Sequence, residues 1–399
     1  MSQDTLKSGK PTCHDACMTL SKPPRTLRIL HVVDTLDAGG METQLVALIN
    51  RLDPLKFKFE VFCLRHAGVL SSMLKPEVKL KALEKPDGFQ IGAARELHNT
   101  IRRGNFDVVH THNWGPLVYT SLATLAGQIC PVLHGEHAQL NDIETLTWRL
   151  RLRRLLYRCC SAVHTVSIGQ KDELLRLGLT HRNLWPLVNG VNTERFLPIS
   201  SSHELAALRF RLIPGATQDF WLGMVARFGI HKRHRELISA FELASVNFPR
   251  SRLILVGDGG PQKENVIHQI KASPLRDRIH FFGYQSDPVP YYQAMDALIV
   301  PSANEGLSNA TLEAMACGVP VLSNAICGAH ELIGNNEGGW VEDLKSVKSM
   351  ASILTTLFTR TPFELREIGC SGRQRALQNY SWDGMTERYA TAYRTCSYH

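Results

Sequence analysis

The stretch Asp296–Ser323, DALIVPSANEGLSNATLEAMACGVPVLS, decides the fold. It opens on a short apolar run, DALIVP (296–301), passes through a polar loop into an Ala/Leu/Met-rich helical segment, and returns to a second apolar run, PVLS (320–323). Near-continuous Val, Ile and Leu in such runs imply strands buried on both faces, hence a parallel sheet with helical crossovers. The same alternation continues outward. Upstream lie WLGMVA (221–226), RLILVG (252–257) and RIHFFG (278–283), with helices between. Further upstream come LRILHVVD (27–34), FKFEVFCL (57–64), DVVHTH (107–112), CPVLH (130–134) and AVHTVS (162–167). METQLVALINRL (41–52) and VYTSLATLAGQ (118–128) supply helices among them. A polar, proline-containing segment, NGVNTERFLPISSSHE (189–204), separates the two series and reads as their connection.

The sequence therefore predicts an α/β chain with two Rossmann-like, doubly wound domains, over residues 27–195 and 196–380. The amphipathic stretch 381–399 could pack on either. The first 26 residues, polar and broken by prolines, read as a disordered tail without the apolar core of a secretory signal. Within it, Cys13, His14 and Cys17 lack a second ligand pair at metal-type spacing and belong to the tail on this reading.

A length of 399 residues suits two cores rather than one. Hydrophobic residues make up 44% and charged residues 21%, as in ordinary globular proteins. No apolar run approaches the roughly 18 residues that a membrane span needs. The ten cysteines are scattered, which suits free thiols in a reducing compartment and a cytoplasmic protein. The net charge of +8 favours an anionic substrate or an anionic membrane surface. It would also suit nucleic acid, but no aromatic-basic module, zinc knuckle or recognition helix supports that partner.

In doubly wound sheets, ligands sit beyond the carboxyl ends of strands, beside helix N-termini. Three segments stand there. After the first strand, Gly39 and Gly40 open a helix, so that backbone amides can approach an anion; two glycines in a tight turn are the plainer alternative. The spacing is not that of a dinucleotide fingerprint, which disfavours an NAD enzyme. After WLGMVA, Arg227 and Lys232 could neutralise a diphosphate, Arg by a bidentate fork and Lys as a point charge, or could form a solvated basic turn. In the deciding stretch, Glu305 follows a buried strand. The backbone amides of Ser308, Asn309, Ala310 and Thr311 are offered at a helix start. Glu313, on an otherwise apolar helix, would be costly to desolvate without a partner and suits ribose hydroxyls.

These residues resemble family-4 glycosyltransferases. Pro301–Ser323 looks like that family's Glu-x7-Glu region, and GMVARFGIHK (223–232) is similar to its strand bearing Arg and Lys. VGDGG (256–260), FFGYQSD (281–287) and the early Gly-Gly match in order, so the likeness runs from about Arg28 onward. The resemblance implies a GT-B fold, a nucleoside-diphosphate sugar as donor, and transfer with retention of configuration. It implies no cofactor and no bound metal. Arg227 and Lys232 would hold the diphosphate, Glu313 the ribose and Glu305 the donor sugar. Gly40 would back onto the diphosphate, and His137 in VLHGEHA would contact the transferred sugar. The final helix, from Ser381, would return to the first domain. The acceptor implied is a glycan or lipid-linked glycan of a cell-surface or exported polysaccharide.

The chemistry agrees. Glycosyl transfer builds positive charge at the anomeric carbon and negative charge on the departing diphosphate, and fixed cations stabilise that separation most in the transition state. With no Asp-x-Asp motif to hold a divalent ion, the protein's own cations must do this. His110 and His112, at a strand end, could shape the acceptor side or simply cap strands; His134 has less claim. In WRLRLRRLLYR (148–158), Trp148, Leu152, Leu155 and Leu156 share one narrow arc among five arginines. The favoured reading is a surface helix with that arc on the sheet; the other is peripheral contact with anionic lipid. Alternatives for the whole chain are a sugar-nucleotide epimerase, a phosphorylase, or a non-catalytic nucleotide-sugar-binding subunit.

Overall fold

The computed structural model describes residues 25–125, 130–335 and 337–398; Cys13, His14 and Cys17 and nearly all of the expected tail lie outside them. Two parallel sheets form. The first runs β3-β2-β1-β4-β5-β6-β7, from β1 (Leu27–Val33), β2 (Phe57–Cys63), β3 (Lys79–Ala82), β4 (Val108–His112), β5 (Val132–Glu136), β6 (Ala162–Thr165) and β7 (Leu184–Pro186). The second runs β10-β9-β8-β11-β12-β13, from β8 (Phe220–Val225), β9 (Ser251–Val256), β10 (Ile279–Phe281), β11 (Ala297–Val300), β12 (Val321–Asn324) and β13 (Gly339–Glu342). The deciding stretch is β11, the helix Asn309–Ala316, and β12, with β11 paired parallel to β12.

All ten expected strands are present, each within a few residues of its expected ends. The three that the sequence did not announce, β3, β7 and β13, are sheet edges. Burial on both faces is what makes a strand legible as a continuous apolar run, and β3 (KLKA) and β13 are only partly buried.

Each sheet is sandwiched between helices. The last helix, Trp382–Ser397, lies on the first sheet, where Met385, Tyr389, Tyr393 and Cys396 share a core with Ile29, Val61, Val108 and Leu133. The two chain segments that pass between the sheets run side by side. The Val191 amide donates to the Tyr380 carbonyl at 2.8 Å, and the Trp382 amide donates to the Val191 carbonyl at 3.1 Å.

The helix Thr147–Tyr157 corrects the favoured reading of segment 148–158. Its fully buried residues are Arg153 and Tyr157, with Leu150 and Leu156 packed partly buried beside them, whereas Trp148 and Leu155 are 57% and 55% exposed. Polar chemistry wins over the apolar arc because a buried acid waits below. Arg153 Nε donates to Glu136 Oε1 at 2.7 Å, Tyr157 donates to the same oxygen at 2.8 Å, and His134 Nε2 stands 3.1 Å away. Burial alone would raise the Glu136 carboxyl, but Arg153 and His134 hold it well below the usual carboxylate range.

Candidate active site

Loops beyond the carboxyl ends of the two sets of strands meet. Arg227, just after β8, donates from a guanidinium nitrogen to the Ala38 carbonyl, in the turn after β1, at 3.3 Å. Asn309 donates from Nδ2 to the Gly40 carbonyl at 3.0 Å, and its Oδ1 accepts from Gln44 at 3.3 Å and Asn189 at 3.2 Å. A Cβ on Gly40 would stand 3.0 Å from that Asn309 nitrogen, so the absence of a side chain permits the approach. Gly39 caps the helix Gly40–Arg51, and its carbonyl accepts the Thr43 amide at 3.0 Å.

Beside this junction, Lys232 Nζ donates to Glu305 Oε1 at 2.8 Å, and the Ser302 hydroxyl donates to the same oxygen at 2.5 Å. The pair is only partly buried, with side chains 22% and 12% exposed, so an arriving anion can compete for the lysine. Next along the loop, the Gly306 carbonyl accepts the Ser167 hydroxyl of the first half at 2.8 Å. Ser308 caps the following helix by accepting the Thr311 amide at 3.3 Å. One of the four expected phosphate-facing amides, that of Thr311, is thus already engaged by its own cap, while the Ala310 side chain packs against the core of the second half.

Glu313 stands one turn beyond Asn309, on the same face of that helix. Tyr292 donates to its Oε2 at 2.7 Å. Burial pushes this carboxyl up to about 7, against the opposing pull of Tyr292 and of Arg195. A group so poised accepts hydroxyl hydrogen bonds without the full cost of a buried charge.

His137 follows β5 directly, and its amide donates to Asn113 Oδ1 at 3.1 Å. Burial drives its imidazole down to about 3, so it is neutral at physiological pH. His110 and His112 do not face an acceptor. The structure corrects that expectation by burying both behind His137, under the last helix. His112 Nδ1 pairs with His137 Nε2 at 2.9 Å, and His110 Nδ1 pairs with the Tyr393 hydroxyl at 2.9 Å. His134 sits on the opposite face with Glu136 and Thr111.

Sequence reasoning missed several partners. Glu331, from the second half, accepts the Ile168 amide at 2.7 Å at the start of a helix in the first. Tyr292 and Asn189 were missed because a single tyrosine or asparagine carries no spacing. His31 and His164 read as strand residues, and nothing in the period of their strands separates them from core positions.

Two family models match the chain: Glycosyltransferase Family 4 over residues 38–195, and Glycosyl transferases group 1 over residues 213–368. A Bacillus subtilis (strain 168) chain designated glycosyltransferase EpsD is 31% identical over 303 residues, covering 73% of this chain and 77% of that one. The Staphylococcus aureus capsular polysaccharide biosynthesis glycosyltransferase CapM is 24% identical over 252 residues, covering 61% and 64%. Among solved structures, Anabaena Alr3699/HepE in complex with UDP-glucose superposes with a TM-score of 0.79 at 21% identity, covering 92% of this chain and 100% of that one. That likeness shows the fold: GT-B, with two facing parallel sheets.

Proposed function

This chain belongs to the family-4, group 1 glycosyltransferases, retaining enzymes that work without a metal and use a nucleotide sugar, and from that membership we propose how its cleft is used. Residues 196–380 form the donor unit, and residues 27–195 with 381–399 form the acceptor unit. Arg227 and Lys232 take the diphosphate, with Gly39, Gly40 and the start of the helix Asn309–Ala316 behind it. Glu313 takes the ribose, and Glu305 and His137 take the sugar. The observation that carries this reading is the cross-gap contact of Arg227 and Asn309 with the Ala38–Gly40 turn, right beside the Lys232–Glu305 pair. A diphosphate entering there replaces Glu305 as partner of Lys232 and frees the carboxylate to meet sugar hydroxyls.

As the leaving diphosphate gains charge, Arg227 and Lys232 stabilise it more than they stabilise the bound donor, which is the requirement for raising turnover. We expect one of UDP-, GDP- or ADP-glucose to raise the unfolding temperature of the wild-type chain, because only the native state binds it. The Glu313→Ala chain should lose most of that rise. Thermal shift against all three checks this, and equal stabilisation of wild type and variant would remove Glu313 from the donor site.

The acceptor is a glycan or lipid-linked glycan. Supporting this are the polysaccharide biosynthesis in CapM's name and the exposed, basic helix Thr147–Tyr157. Trp148, Ile143, Leu146 and Leu155 are exposed there together with Arg151, Arg154 and Arg158, a combination suited to the interface of an anionic membrane. Among the described residues no helix is long and apolar enough to cross a membrane, so contact at the cytoplasmic face would be peripheral. Wild-type chain should float with phosphatidylglycerol-rich vesicles, and Trp148→Ala combined with Arg151→Glu should stay behind. Equal flotation of the two would refute the membrane contact.

A further inference from the structure

Behind His137, five buried side chains form a continuous row across one face of the first sheet. His137 Nε2 pairs with His112 Nδ1 at 2.9 Å, and His112 Nε2 pairs with His31 Nδ1 at 3.0 Å. His31 Nε2 reaches the Tyr393 hydroxyl at 3.4 Å, which pairs with His110 Nδ1 at 2.9 Å. His110 Nε2 pairs with His164 Nε2 at 2.8 Å, and His164 Nδ1 ends the row on the Thr165 carbonyl at 3.5 Å. Gly135 leaves room for it: a Cβ there would lie 2.4 Å from the His164 ring and 2.7 Å from that of His137.

The row has a direction. Burial holds His31 and His137 down to about 3, and the other three imidazoles well below their usual range, so each ring carries one proton at neutral pH. A neutral imidazole donates from one nitrogen and accepts at the other. The Thr165 carbonyl can only accept, so His164 donates from Nδ1 and accepts at Nε2. His110 must then donate from Nε2 and accept the Tyr393 proton at Nδ1. The tyrosine oxygen is left to accept from His31 Nε2, His31 Nδ1 accepts from His112 Nε2, and His112 Nδ1 accepts from His137 Nε2. The reverse order would set two lone pairs against each other at Thr165, a buried loss of the kind that costs ~1–3 kcal/mol.

At the far end, His137 Nδ1 is buried and has no partner among the described residues. We propose that His31, His110, His112, His164 and Tyr393 are positioning residues that lock His137 as the Nε2–H tautomer, so that its bare Nδ1 accepts a hydrogen bond from a hydroxyl of the donor sugar. The sugar contact rests on the reading of the cleft given above; the tautomer does not. Ring nitrogens of His31, His110 and His112 also lie within 4.8 Å of one another, a spacing that could admit a metal ion. The hydrogen-bonded row is the better account, because each of those nitrogens already has a partner in it.

The test is a long-range proton–nitrogen NMR spectrum of the full chain with ¹⁵N-labelled histidine, the His137 signals being assigned by their loss in His137→Gln. The expected result is a protonated Nε2 and an unprotonated Nδ1 at His137. A proton on Nδ1 overturns the proposal, as does a metal-shifted spectrum that reverts on chelation. Tyr393→Phe removes the central hydroxyl while keeping the ring. It should give a mixture of His137 tautomers and lower kcat about five- to tenfold, the scale of one lost buried hydrogen bond, with donor KM nearly unchanged. A single wild-type-like tautomer in that variant also overturns the proposal. The spectra need no substrate, so they stand or fall separately from any transfer assay.

Discussion

Replacing Lys232 by alanine should lower kcat/KM for the nucleotide sugar by about 10²–10³-fold, the usual cost of losing one fixed charge that faces a developing anion. The surroundings of Lys232 leave little stability to lose with it. Lys232 sits in a short turn beyond β8 with its ammonium partly exposed, and among the described residues its one side-chain partner is Glu305. An ion pair that water can reach contributes little to stability, of order 0–1 kcal/mol. Glu305 keeps the Ser302 hydroxyl when the lysine is gone. The unfolding temperature of the variant should therefore stay near that of wild type while turnover collapses. Lys232→Arg should recover only part of the rate, because a planar fork cannot occupy the place of a point charge beside the Arg227 guanidinium. Steady-state kinetics with donor in excess, alongside thermal unfolding, decides the matter. Turnover within threefold of wild type would show that the diphosphate lies elsewhere.

Arg153→Ala should have the opposite character, a large loss of stability at a residue that is not part of the proposed donor site. Arg153 and Glu136 are 1% and 2% exposed, and removing one partner of such a pair strands the other. That typically costs ~3–5 kcal/mol, whereas replacing both by apolar residues of similar volume is often neutral or better. Chemical denaturation of Arg153→Ala, and of Arg153→Met with Glu136→Leu, should separate the two effects. A single variant within ~1 kcal/mol of wild type, well under the cost of a broken buried pair, would contradict the assignment. The pH dependence carries a second sign. In wild type the folded Glu136 carboxyl lies below its unfolded value, so the pair's contribution is present above the ordinary carboxylate range and is lost as pH falls through the lower, folded value. Without Arg153 burial dominates and the carboxyl rises, so the variant should gain stability as pH is lowered from neutral. Because Glu136 immediately precedes His137, the variant should also loosen the strand end that carries the ring proposed to meet the sugar.

Much of this molecule was legible in its sequence, for reasons that particular residues make plain. β1, β4, β8 and β11 are central strands, and a strand covered on both faces must be written in Val, Ile and Leu. The edges β3 and β7 carry Lys, Trp and Pro, so nothing in their composition separates them from loops. Arg227, Lys232, Glu305 and Glu313 stood out as candidates because charge placed just after a buried strand, or inside an apolar helix, is conspicuous. Their partners were not, since Tyr292 meets Glu313 and Ser302 meets Glu305 only through the geometry of the folded loops. The basic segment 148–158 misled because its leucines outnumber its one tyrosine. What turns the helix is Glu136, eleven residues upstream of Thr147 on another element, whose buried charge attracts Arg153 more strongly than the sheet attracts leucine. His110 and His112 were left between shaping the acceptor side and capping strands, because the sequence of a strand does not say which of its residues the returning helix Trp382–Ser397 will bury.

That helix has a consequence for how the protein is made. Met385, Tyr389, Tyr393 and Cys396 complete the core of a sheet whose strands are all synthesised before those of the second sheet, yet they follow that second sheet in the chain. Domains of a growing chain usually close in the order of synthesis. Here the earlier sheet keeps its row of histidines uncovered until the second half has been synthesised and the helix Trp382–Ser397 crosses back at Val191.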